Sequence, residues 1–424
     1  MKTKLNNLKT KTKKNLKTSF NFLDKNKKYS LMEVIAFMII VGIFGMLAGG
    51  ILMYGRGALN YGIKKELREF ADTYTEILNE YYKDVDEKGL LEAGVNGMVN
   101  YLGDPYSVFM DKETSTAFNE KVNGEYVGIG TEIIQYTEDL KVEFANVYET
   151  GPAYEAGIRK GDVLLKVDGK EIKEMSVSDI AKLVKGKVGT TVKIVVLREE
   201  KELEFTVKRK NIDIDSVKSE IIEYEDKKIG YIIIDIFAAN TNKQFKKELE
   251  SLEKNKIDSL IIDVRGNSGG YLTTVTDMLS MFLKKGDMIY QLKTRDKIEK
   301  FYDKTDEKRT YKVAILVNGG SASASEMLTA AMKDTYHAYT VGTTTFGKSK
   351  VQKTQDLSNG TTIKYTFQEW LRPNGESVGD KGLTPEYEVN YTPEDEEHKY
   401  DSQLQTAMDL LVGKEVKIEE KEGN

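Results

Sequence analysis

Between residues 230 and 341, short apolar runs alternate with segments of helical periodicity. Apolar runs of about four to eight residues bounded by turns predict buried strands, and apolar residues repeated every three or four positions predict helices. Such alternation is typical of an α/β layer around a largely parallel sheet. The predicted elements are strand Gly230–Ile236, helix Lys243–Leu252, strand Ser259–Val264, helix Thr273–Leu283, strand Val313–Val317, helix Ser323–Met332 and strand Ala338–Val341.

Residues 119–210 follow a different pattern, in which polar and apolar side chains alternate with the period of a strand. Glycines interrupt these runs and mark turns. A block of about 90 residues with this organisation has the size of a compact domain. Its predicted elements are strand runs Val127–Ile134 and Leu140–Val147, a short helix Val177–Val184, and strands Val192–Leu197 and Leu203–Val207.

The segments on either side complete the organisation. Residues 64–83 and Leu90–Tyr101 have helical spacing of apolar residues and could form a helical pair or a dimer contact. After Lys350 the pattern is again that of strands, with a hairpin turn at Asn359-Gly360. We divide the chain into a basic tail (1–30), an apolar segment (31–55), a helical segment (56–118), a β-rich domain (119–210), an α/β core (211–395) and a charged C-terminal segment (396–424) with one short helix.

The first 55 residues predict a membrane anchor. Ten Lys against one Asp give residues 1–30 a net charge of +9, and no charged residue occurs from Val34 to Gly55. Roughly 20 apolar residues span the hydrocarbon core as a helix. Because a lysine-rich flank stays in the cytoplasm, we expect an uncleaved, single-pass transmembrane signal anchor in the plasma membrane, with everything after Arg56 outside. A cleaved signal peptide is the competing interpretation.

Composition excludes several kinds of site. The chain has no Cys, which excludes disulfides, thiolate metal sites and a Cys nucleophile. It has two His, His337 and His398, although His is the usual general base and the commonest metal ligand. The whole chain carries −5, so residues 31–424 carry about −14, and such an acidic body is a poor partner for nucleic acid. We therefore expect no metal, no cofactor and no nucleic acid.

Residues 342–349, Gly-Thr-Thr-Thr-Phe-Gly-Lys-Ser, match the P-loop pattern and allow a nucleotide-binding interpretation. A P-loop needs a helix directly after its Lys-Ser, because the helix N-terminus holds the phosphates. Here a strand pattern follows Lys350, and the strand that ends at Asp263 precedes the loop rather than following it. The pattern is therefore weak support for a P-loop.

A lysine at position 348 could instead act as a general base. Three serines, Ser321, Ser323 and Ser325, stand between an apolar strand and a helix. A serine hydroxyl is a weak nucleophile until a neighbouring base takes its proton, and burial lowers the pKa of a lysine by up to several units. Gln352 lies at an even offset from Lys348, so in an extended strand its amide would face the same side and could orient the amine.

Ser323 also has a purely structural interpretation. The run Ser323-Ala-Ser-Glu326 fits a capping box at a helix start. The two roles are compatible, because a helix N-terminus offers backbone donors and positive potential where an oxyanion develops. The residues alone leave both roles open.

Several separated motifs together give the chain a family resemblance. Over residues 64–395 the sequence resembles the C-terminal processing (tail-specific) peptidases, which are PDZ-containing serine proteases. The motifs that carry the resemblance are Leu102-Gly-Asp-Pro-Tyr-Ser, Tyr126-Val-Gly-Ile-Gly, Gly151-Pro-Ala with Ala156-Gly-Ile-Arg-Lys-Gly-Asp, Asp263-Val-Arg-Gly-Asn-Ser-Gly-Gly, Ser321-Ala-Ser-Ala-Ser-Glu and Thr345-Phe-Gly-Lys-Ser-Lys-Val-Gln.

This resemblance implies a set of catalytic residues. The nucleophile would be Ser323, with Ser325 as the fallback, and the general base would be Lys348. Gln352 would support the lysine. The oxyanion hole would use the backbone N–H groups of Gly269 and Ala324.

The resemblance also implies a PDZ domain, a small β-barrel-like sheet with helices, over residues 119–210. This domain would capture the C-terminal tail of a protein substrate as an added strand. The residues expected to bind the tail are Gly128, Ile129, Gly130, Ile180 and Leu183. We expect a membrane-anchored serine endopeptidase that acts on protein substrates and forms a possible homodimer. A non-catalytic PDZ scaffold that binds tails is the main alternative.

Overall fold

The computed structural model describes residues 30–60, 64–137, 139–306, 309–394 and 399–416. The predicted basic tail lies outside these ranges except for its last residue, Ser30, and so does the C-terminal segment after residue 416. The chain divides into two compact units, residues 1–94 and residues 95–424.

The first unit is helical. It contains α1 (Leu31–Asn60), α2 (Lys65–Glu80) and most of α3 (Glu87–Asn100). The hydroxyl of Tyr74 donates to the carbonyl of Glu87 at 3.1 Å, and a Cβ added to Gly94 would lie 3.3 Å from the Phe70 ring. Helices α2 and α3 therefore pack as a pair, which is one of the two arrangements that the sequence left open.

The predicted transmembrane anchor over residues 31–55 lies in α1. The apolar side chains in the first half of this helix are exposed, for example Met32 at 79% and Phe44 at 70%. Across the ranges that the structure describes, no helix combines the length and apolar character needed to cross a membrane.

The region predicted as a PDZ domain is a small antiparallel sheet with two short helices. Helix α4 (Lys112–Asn123) precedes it. The elements of the domain are β2 (Glu125–Gly128), β3 (Thr131–Gln135), β4 (Val142–Val147), α5 (Pro152–Ala156), β5 (Val163–Val167), β6 (Lys170–Glu171), α6 (Val177–Val184), β7 (Thr191–Arg198), β8 (Lys201–Lys208) and β9 (Lys210–Asp213). The strands run in the order β3-β4-β5-β7-β8, so β3 lies at an edge, while β6 pairs with β5 and β2 pairs with β9.

The strand predicted over Val127–Ile134 is two strands, β2 and β3. Gly130 separates them with φ +76°, a left-handed conformation that favours glycine. A Cβ at this position would lie 3.0 Å from the Cα of Gly151. The sequence pattern runs through this turn because the polar–apolar alternation continues on both sides of it.

The core is built on a six-stranded sheet with the order β10-β11-β12-β15-β16-β19. Strands β10 and β11 are antiparallel and every other pair is parallel, which confirms the predicted largely parallel sheet. The elements of this layer are β10 (Val217–Tyr224), β11 (Lys227–Ile234), α7 (Thr241–Lys254), β12 (Ser259–Asp263), α8 (Leu272–Leu279), β15 (Lys312–Val317), α9 (Ala324–Ala331), a π-helical turn (Met332–Tyr336), β16 (Tyr339–Gly342), β19 (Tyr387–Glu388) and α10 (Ser402–Val412).

Alternate side chains of these strands face opposite sides of the sheet, as expected for a strand period of two. Two neighbouring residues of β12 illustrate the split: Ile262 lies in the same core cluster as Phe245 of α7, whereas Ile261 lies in the cluster that contains Met408 of α10. Because both faces are covered by helices, the central strand β12 is buried at all five positions. Helix α10, in the charged C-terminal segment, thus forms part of the core.

A second sheet in this unit has the order β1-β18-β13-β14, with β17 also paired to β18. The hairpin predicted after Lys350 is present as β17 and β18, whereas β1, β13 and β14 were not predicted. This sheet matters for the site because it links residues just before the PDZ domain to the loop around Lys348. Its strands are β1 (Val108–Met110), β13 (Met288–Lys293), β14 (Ile298–Tyr302), β17 (Lys350–Asp356) and β18 (Thr362–Leu371).

Candidate catalytic site and tail-binding groove

Ser323 lies at the N-cap of α9, after the turn that follows β15, with φ +55° and ψ −108°. A positive φ is unfavourable for a residue with a side chain, by about 1–3 kcal/mol, and persists where the surroundings hold it. Gly269 forms part of those surroundings, because a Cβ added to it would lie 3.0 Å from the Cβ of Ser323. Ser323 therefore occupies a sharp, closely packed turn at the mouth of the helix.

The three serines of this segment differ in what their hydroxyls do. Ser321 and Ser325 are fully buried, and their Oγ atoms donate at 2.8 Å to the carbonyls of Val264 and Asn267. Ser323 is only partly buried. The fallback nucleophile Ser325 is therefore excluded, because its hydroxyl is both inaccessible and committed to a carbonyl.

Glu326 connects the serine to the lysine. Its side chain is fully buried, and its Oε2 accepts from the backbone N–H of Ser323 and of Lys348, each at 2.8 Å. These two nitrogens are therefore no more than 5.6 Å apart. Its Oε1 accepts from the Thr345 hydroxyl at 2.5 Å and from the Gly347 N–H at 2.8 Å.

Glu326 was predicted only as part of a capping box, and its carboxylate accepts four hydrogen bonds at the site. The bond from the Ser323 N–H is the carboxylate half of that box. The other three bonds reach residues 19 to 22 positions further along the chain. No local pattern reveals such contacts, so the Ser-x-x-Glu spacing was the one available signal.

The backbone of Lys348 is fixed on two sides. Its N–H donates to Glu326, and its carbonyl accepts from the indole N–H of Trp370 at 2.9 Å. Trp370 is itself buried, at 1% exposure. Lys348 thus projects from a rigid turn just before β17.

The amine of Lys348 is partly buried and lies 4.9 Å from the centroid of the Tyr106 ring. Burial lowers the pKa of this amine and the charge of Lys364 lowers it further, while Asp104 and Glu326 oppose the shift. The pKa of Lys348 is therefore below its ordinary value. A lowered pKa is the property that a lysine needs to act as a base near neutral pH.

Gln352 lies on β17, the strand that follows Lys348. Lys348 lies outside β17, and a register irregularity between Val351 and Gln352 interrupts the alternation of faces. The side-chain N–H of Gln352 donates to the hydroxyl of Thr366 at 3.2 Å. Strand periodicity therefore does not determine whether the two side chains face the same side, and a supporting role of Gln352 stays a prediction.

The two predicted oxyanion donors differ in whether their N–H groups already have an acceptor. Ala324 is the first residue of α9, so its N–H has no acceptor within the helix, and its nitrogen lies 3.1 Å from the place a Cβ on Gly269 would occupy. The N–H of Gly269, in contrast, donates to Oδ1 of Asn267 at 2.9 Å. The prediction for Gly269 needs correction, because this buried amide side chain already uses its donor.

A groove lies between β3 and α6, in the region predicted to bind a peptide tail. Its walls are mainly apolar, with one lysine at the end of the helix. Two of the predicted binding residues, Gly128 and Ile129, line it. The lining residues are Tyr126, Gly128, Ile129, Thr131, Ile133, Phe144, Ala181, Val184 and Lys185.

The other three predicted groove residues lie elsewhere. Ile180 is fully buried in the domain core and Leu183 packs against that core. The groove side of α6 is instead formed by Ala181, Val184 and Lys185, which share one helix face at spacings of three and four. Gly130 forms the turn before β3, and its carbonyl accepts from the N–H of Tyr148 at 3.1 Å.

Lys185 was not predicted and stands at the end of the groove. Its amine pairs with Glu120 of α4 at 2.5 Å and lies 5.3 Å from the centroid of the Tyr126 ring. A second pair, Lys182 with Glu113 at 2.8 Å, joins the same two helices. Helix α4 is therefore tied to the groove helix by two ion pairs.

Comparison with known proteins bears directly on these arrangements. Three family models match the chain, namely Peptidase family S41 over residues 228–389, a PDZ domain over residues 143–198 and the activating protease CtpB N-terminal domain over residues 55–114. Carboxy-terminal processing protease CtpB of Bacillus subtilis (strain 168) is 36% identical over 324 residues, which are 76% of this chain and 67% of the relative. The chain belongs to peptidase family S41.

Two further proteins are similar to the chain. A probable CtpA-like serine protease of Staphylococcus haemolyticus (strain JCSC1435) is 37% identical over 330 residues, which cover 77% of this chain and 65% of that protein. The chain thus spans just under two thirds of this relative's length. Among solved structures, a photosystem II D1 C-terminal processing protease is 22% identical, with a TM-score of 0.46, over 77% of this chain and 94% of that chain.

The S41 match covers the Asp263-Val-Arg-Gly-Asn stretch, whose side chains are structural. Arg265 pairs with Asp263 at 2.7 Å and with Asp401 at 2.9 Å. The hydroxyl of Tyr231 also donates to Asp263 at 2.7 Å. These bonds join the end of β12 to the start of α10 and fix the loop that leads to Asn267 and Gly269.

The P-loop interpretation does not agree with the structure. Strand β17 follows Lys348 and Ser349, so no helix N-terminus is available to hold phosphates at this place. The hydroxyl of Ser349 donates to Glu369 at 3.2 Å, and Asp263 is paired with Arg265. Within the described ranges, no group of three or more carboxylates or imidazoles is arranged to hold a metal ion.

Proposed function

We propose that this S41 family member is a serine endopeptidase in which Ser323 is the nucleophile and Lys348 the general base. The observation that carries the proposal is the shared Glu326 oxygen, which accepts from the backbone N–H groups of both residues. The accessible position of Ser323 between two buried serines supports the same assignment.

In the proposed reaction the neutral amine of Lys348 takes the proton of the Ser323 hydroxyl as the oxygen attacks the peptide carbonyl. The N–H of Ala324, at the positive end of the α9 dipole, stabilises the oxyanion, together with a second donor from the loop 268–270. Lys348 then protonates the leaving amine, and water hydrolyses the Ser323 ester with the same lysine as base.

Substrates would be protein chains captured by their C-terminal tails. An extended tail can add to the edge strand β3, where main-chain groups supply the affinity and the groove supplies side-chain selectivity. The apolar lining of the groove favours an apolar tail residue. Cleavage would then take place near the C-terminus of the captured protein.

We also propose that the chain is anchored in the plasma membrane with its catalytic part outside. The uncharged run from Val34 to Gly55 and the +9 charge of residues 1–30 support this placement. Alkaline extraction of membranes tests it, since an anchored chain stays in the pellet whereas a peripheral or released one appears in the supernatant. The homodimer stays a prediction, which analytical ultracentrifugation would test.

The decisive experiment measures cleavage of an unfolded protein by the wild type, Ser323→Ala, Lys348→Met and Ser325→Ala. We expect Ser323→Ala and Lys348→Met to lose about 10³-fold or more in kcat, while Ser325→Ala keeps the nucleophile. Binding of a tail peptide should persist in all four proteins. If the first two variants cleave as well as the wild type, the dyad is wrong, and if the wild type binds tails without cleaving, the chain is a PDZ scaffold.

A further inference from the structure

The motif Leu102-Gly-Asp-Pro-Tyr-Ser lies before the PDZ domain in the sequence, yet it forms a turn beside Lys348. The Asp104 carboxylate closes this turn by accepting from the Tyr106 N–H at 3.1 Å and from the Ser107 hydroxyl at 2.6 Å. Pro105 lies between them. The proposed mechanism gives no role to any of these residues.

Hydrogen bonds connect the turn to Gln352. The Ser107 hydroxyl, which donates to Asp104, accepts from the backbone N–H of Thr366 at 3.0 Å. The Thr366 hydroxyl in turn accepts from the amide of Gln352 at 3.2 Å. Because this contact uses the N–H₂ group of Gln352, it determines which way the amide points and leaves the carbonyl oxygen as the group available to accept from an ammonium.

The Tyr106 ring provides a second connection, since the amine of Lys348 lies 4.9 Å from its centroid. A charged amine is stabilised over an aromatic face, and more strongly the further it is removed from water. The same turn therefore contacts the proposed base through Tyr106, and Asp104 is linked to the supporting Gln352 through Ser107 and Thr366.

We propose that this turn, residues 102–107, is a third component of the catalytic site, in which Asp104 and Tyr106 are positioning residues for Gln352 and Lys348. The inference rests on the proposed peptidase function of Ser323 and Lys348. It assigns a role to a segment that precedes the PDZ domain in the sequence and so couples the start of the second unit to catalysis.

The charged groups that face Lys348 come from three elements, and Tyr106 faces it as a neutral ring. Asp104 on the turn and Glu326 on α9 favour the ammonium form, whereas burial and Lys364 on β18 favour the neutral amine. The pKa of Asp104 is itself held below its ordinary value, because hydrogen bonds from Ser107 and Thr366 outweigh the opposing effect of burial. Asp104 is thus a negative charge throughout the neutral range.

Removing one charge of each sign tests this arrangement. Lys348 must lose its proton to act as base, so kcat/KM rises as pH increases through its pKa. We call this rising part of the pH profile of kcat/KM the acidic limb. Asp104→Asn removes a charge that favours the ammonium, and we expect the acidic limb to move to lower pH by about half a unit or more. Lys364→Met removes a charge that disfavours the ammonium, and we expect the limb to move to higher pH by a similar amount.

Matched variants separate positioning from folding. Lys353→Met, at an exposed site on β17, should leave the pH profile unchanged, and Lys364→Arg should restore the wild-type profile. Thr366→Val breaks the link to Gln352 without changing charge, so we expect about a tenfold lower kcat with the limb in place. Tyr106→Leu removes the ring and should lose about tenfold in kcat, and Tyr106→Phe, which returns a ring to this position, should recover most of that loss.

The outcomes distinguish the two proposals. If Ser323→Ala stays inactive but the limb moves in neither charge variant, or moves the same way in both, the turn has no positioning role and the peptidase assignment stands. If Ser323→Ala keeps its activity, the peptidase assignment itself is wrong. Should Asp104→Asn not fold, the shift of the limb in Lys364→Met and the contrast between Tyr106→Phe and Tyr106→Leu decide the question.

Discussion

Glu326 and the groups that donate to it, on Ser323, Thr345, Gly347 and Lys348, form a cluster that we call the cradle. The groove of the PDZ domain and this cradle use main-chain groups in opposite ways. In the groove, β3 lies at the edge of its sheet, so its main-chain groups are open to an added strand. In the cradle, the N–H groups of Ser323, Gly347 and Lys348 are all taken by one buried carboxylate, that of Glu326. Unpaired main-chain groups can pair with tails of different sequence. Main-chain groups that are already hydrogen-bonded hold Ser323 and Lys348 in fixed positions.

This difference predicts where each region is fragile. The α6 side of the groove, at Ala181, Val184 and Lys185, should tolerate changes with loss of binding but little loss of stability, because these side chains are only partly buried. Changes around Glu326 should affect stability and activity together, because the same carboxylate holds the fold of the loop and the spacing of the proposed dyad.

Replacing Glu326 should have the largest effect. Glu326→Ala leaves four donors without their acceptor, and we expect a loss of about 3 kcal/mol or more in the free energy of unfolding together with loss of cleavage. Urea denaturation and a protein-cleavage assay measure the two effects. Glu250→Gln, a change at a surface pair on α7, is the control and should cost less than about 1 kcal/mol. Wild-type activity in Glu326→Ala would refute the role of the carboxylate.

Two adjacent positions of α6 should separate stability from binding. Ile180→Ala removes a fully buried side chain, and we expect it to cost about 2–5 kcal/mol. Ala181→Trp fills the groove from the next residue, so tail-peptide affinity should fall by about tenfold or more with little change in stability. Thermal unfolding and fluorescence anisotropy with a labelled peptide give both values. If Ile180→Ala instead weakened tail binding and Ala181→Trp instead lowered stability, the groove would lie on the other side of the helix.

The strained turn at Ser323 predicts a trade between stability and catalysis. Ser323→Gly permits the positive φ without strain, and we expect the free energy of unfolding to rise by about 1 kcal/mol while cleavage is lost. Ser323→Ala keeps the Cβ and should lose cleavage without this gain. Parallel urea titrations of the two variants measure the difference, and equal stabilities would show that the turn is not strained.

The ion pair at the end of the groove should have the smallest effect on stability. Lys185 and Glu120 are both partly exposed, at 41% and 24% of their side chains, so solvent screens the pair. We expect Lys185→Gln to change the free energy of unfolding by about 0–1 kcal/mol. A loss of several kcal/mol in urea denaturation would mean that this ion pair is shielded from solvent as strongly as the Glu326 carboxylate is.

The sequence was informative where the relevant contacts are local. The parallel sheet follows from runs such as Ser259–Asp263, which are apolar and bounded by turns, and the helix start at Ser323 follows from its Ser-x-x-Glu spacing. The sequence was less informative where the structure departs from the regular period of a strand or a helix. The turn at Gly130 divides one predicted strand, the face of α6 is offset by one residue at Ile180, and the irregularity before Gln352 interrupts the alternation of faces.

By itself, then, the sequence determined the order of the elements and the residue types available for chemistry: a serine at a helix mouth, a lysine after a glycine, and no cysteine. Tertiary structure decided which serine is accessible, what Glu326 binds, and that the turn at Asp104 lies beside Lys348. The physical reason is that spacing along the chain encodes contacts within one element, whereas a buried carboxylate or an aromatic ring selects its partners by position in space after the strands have paired.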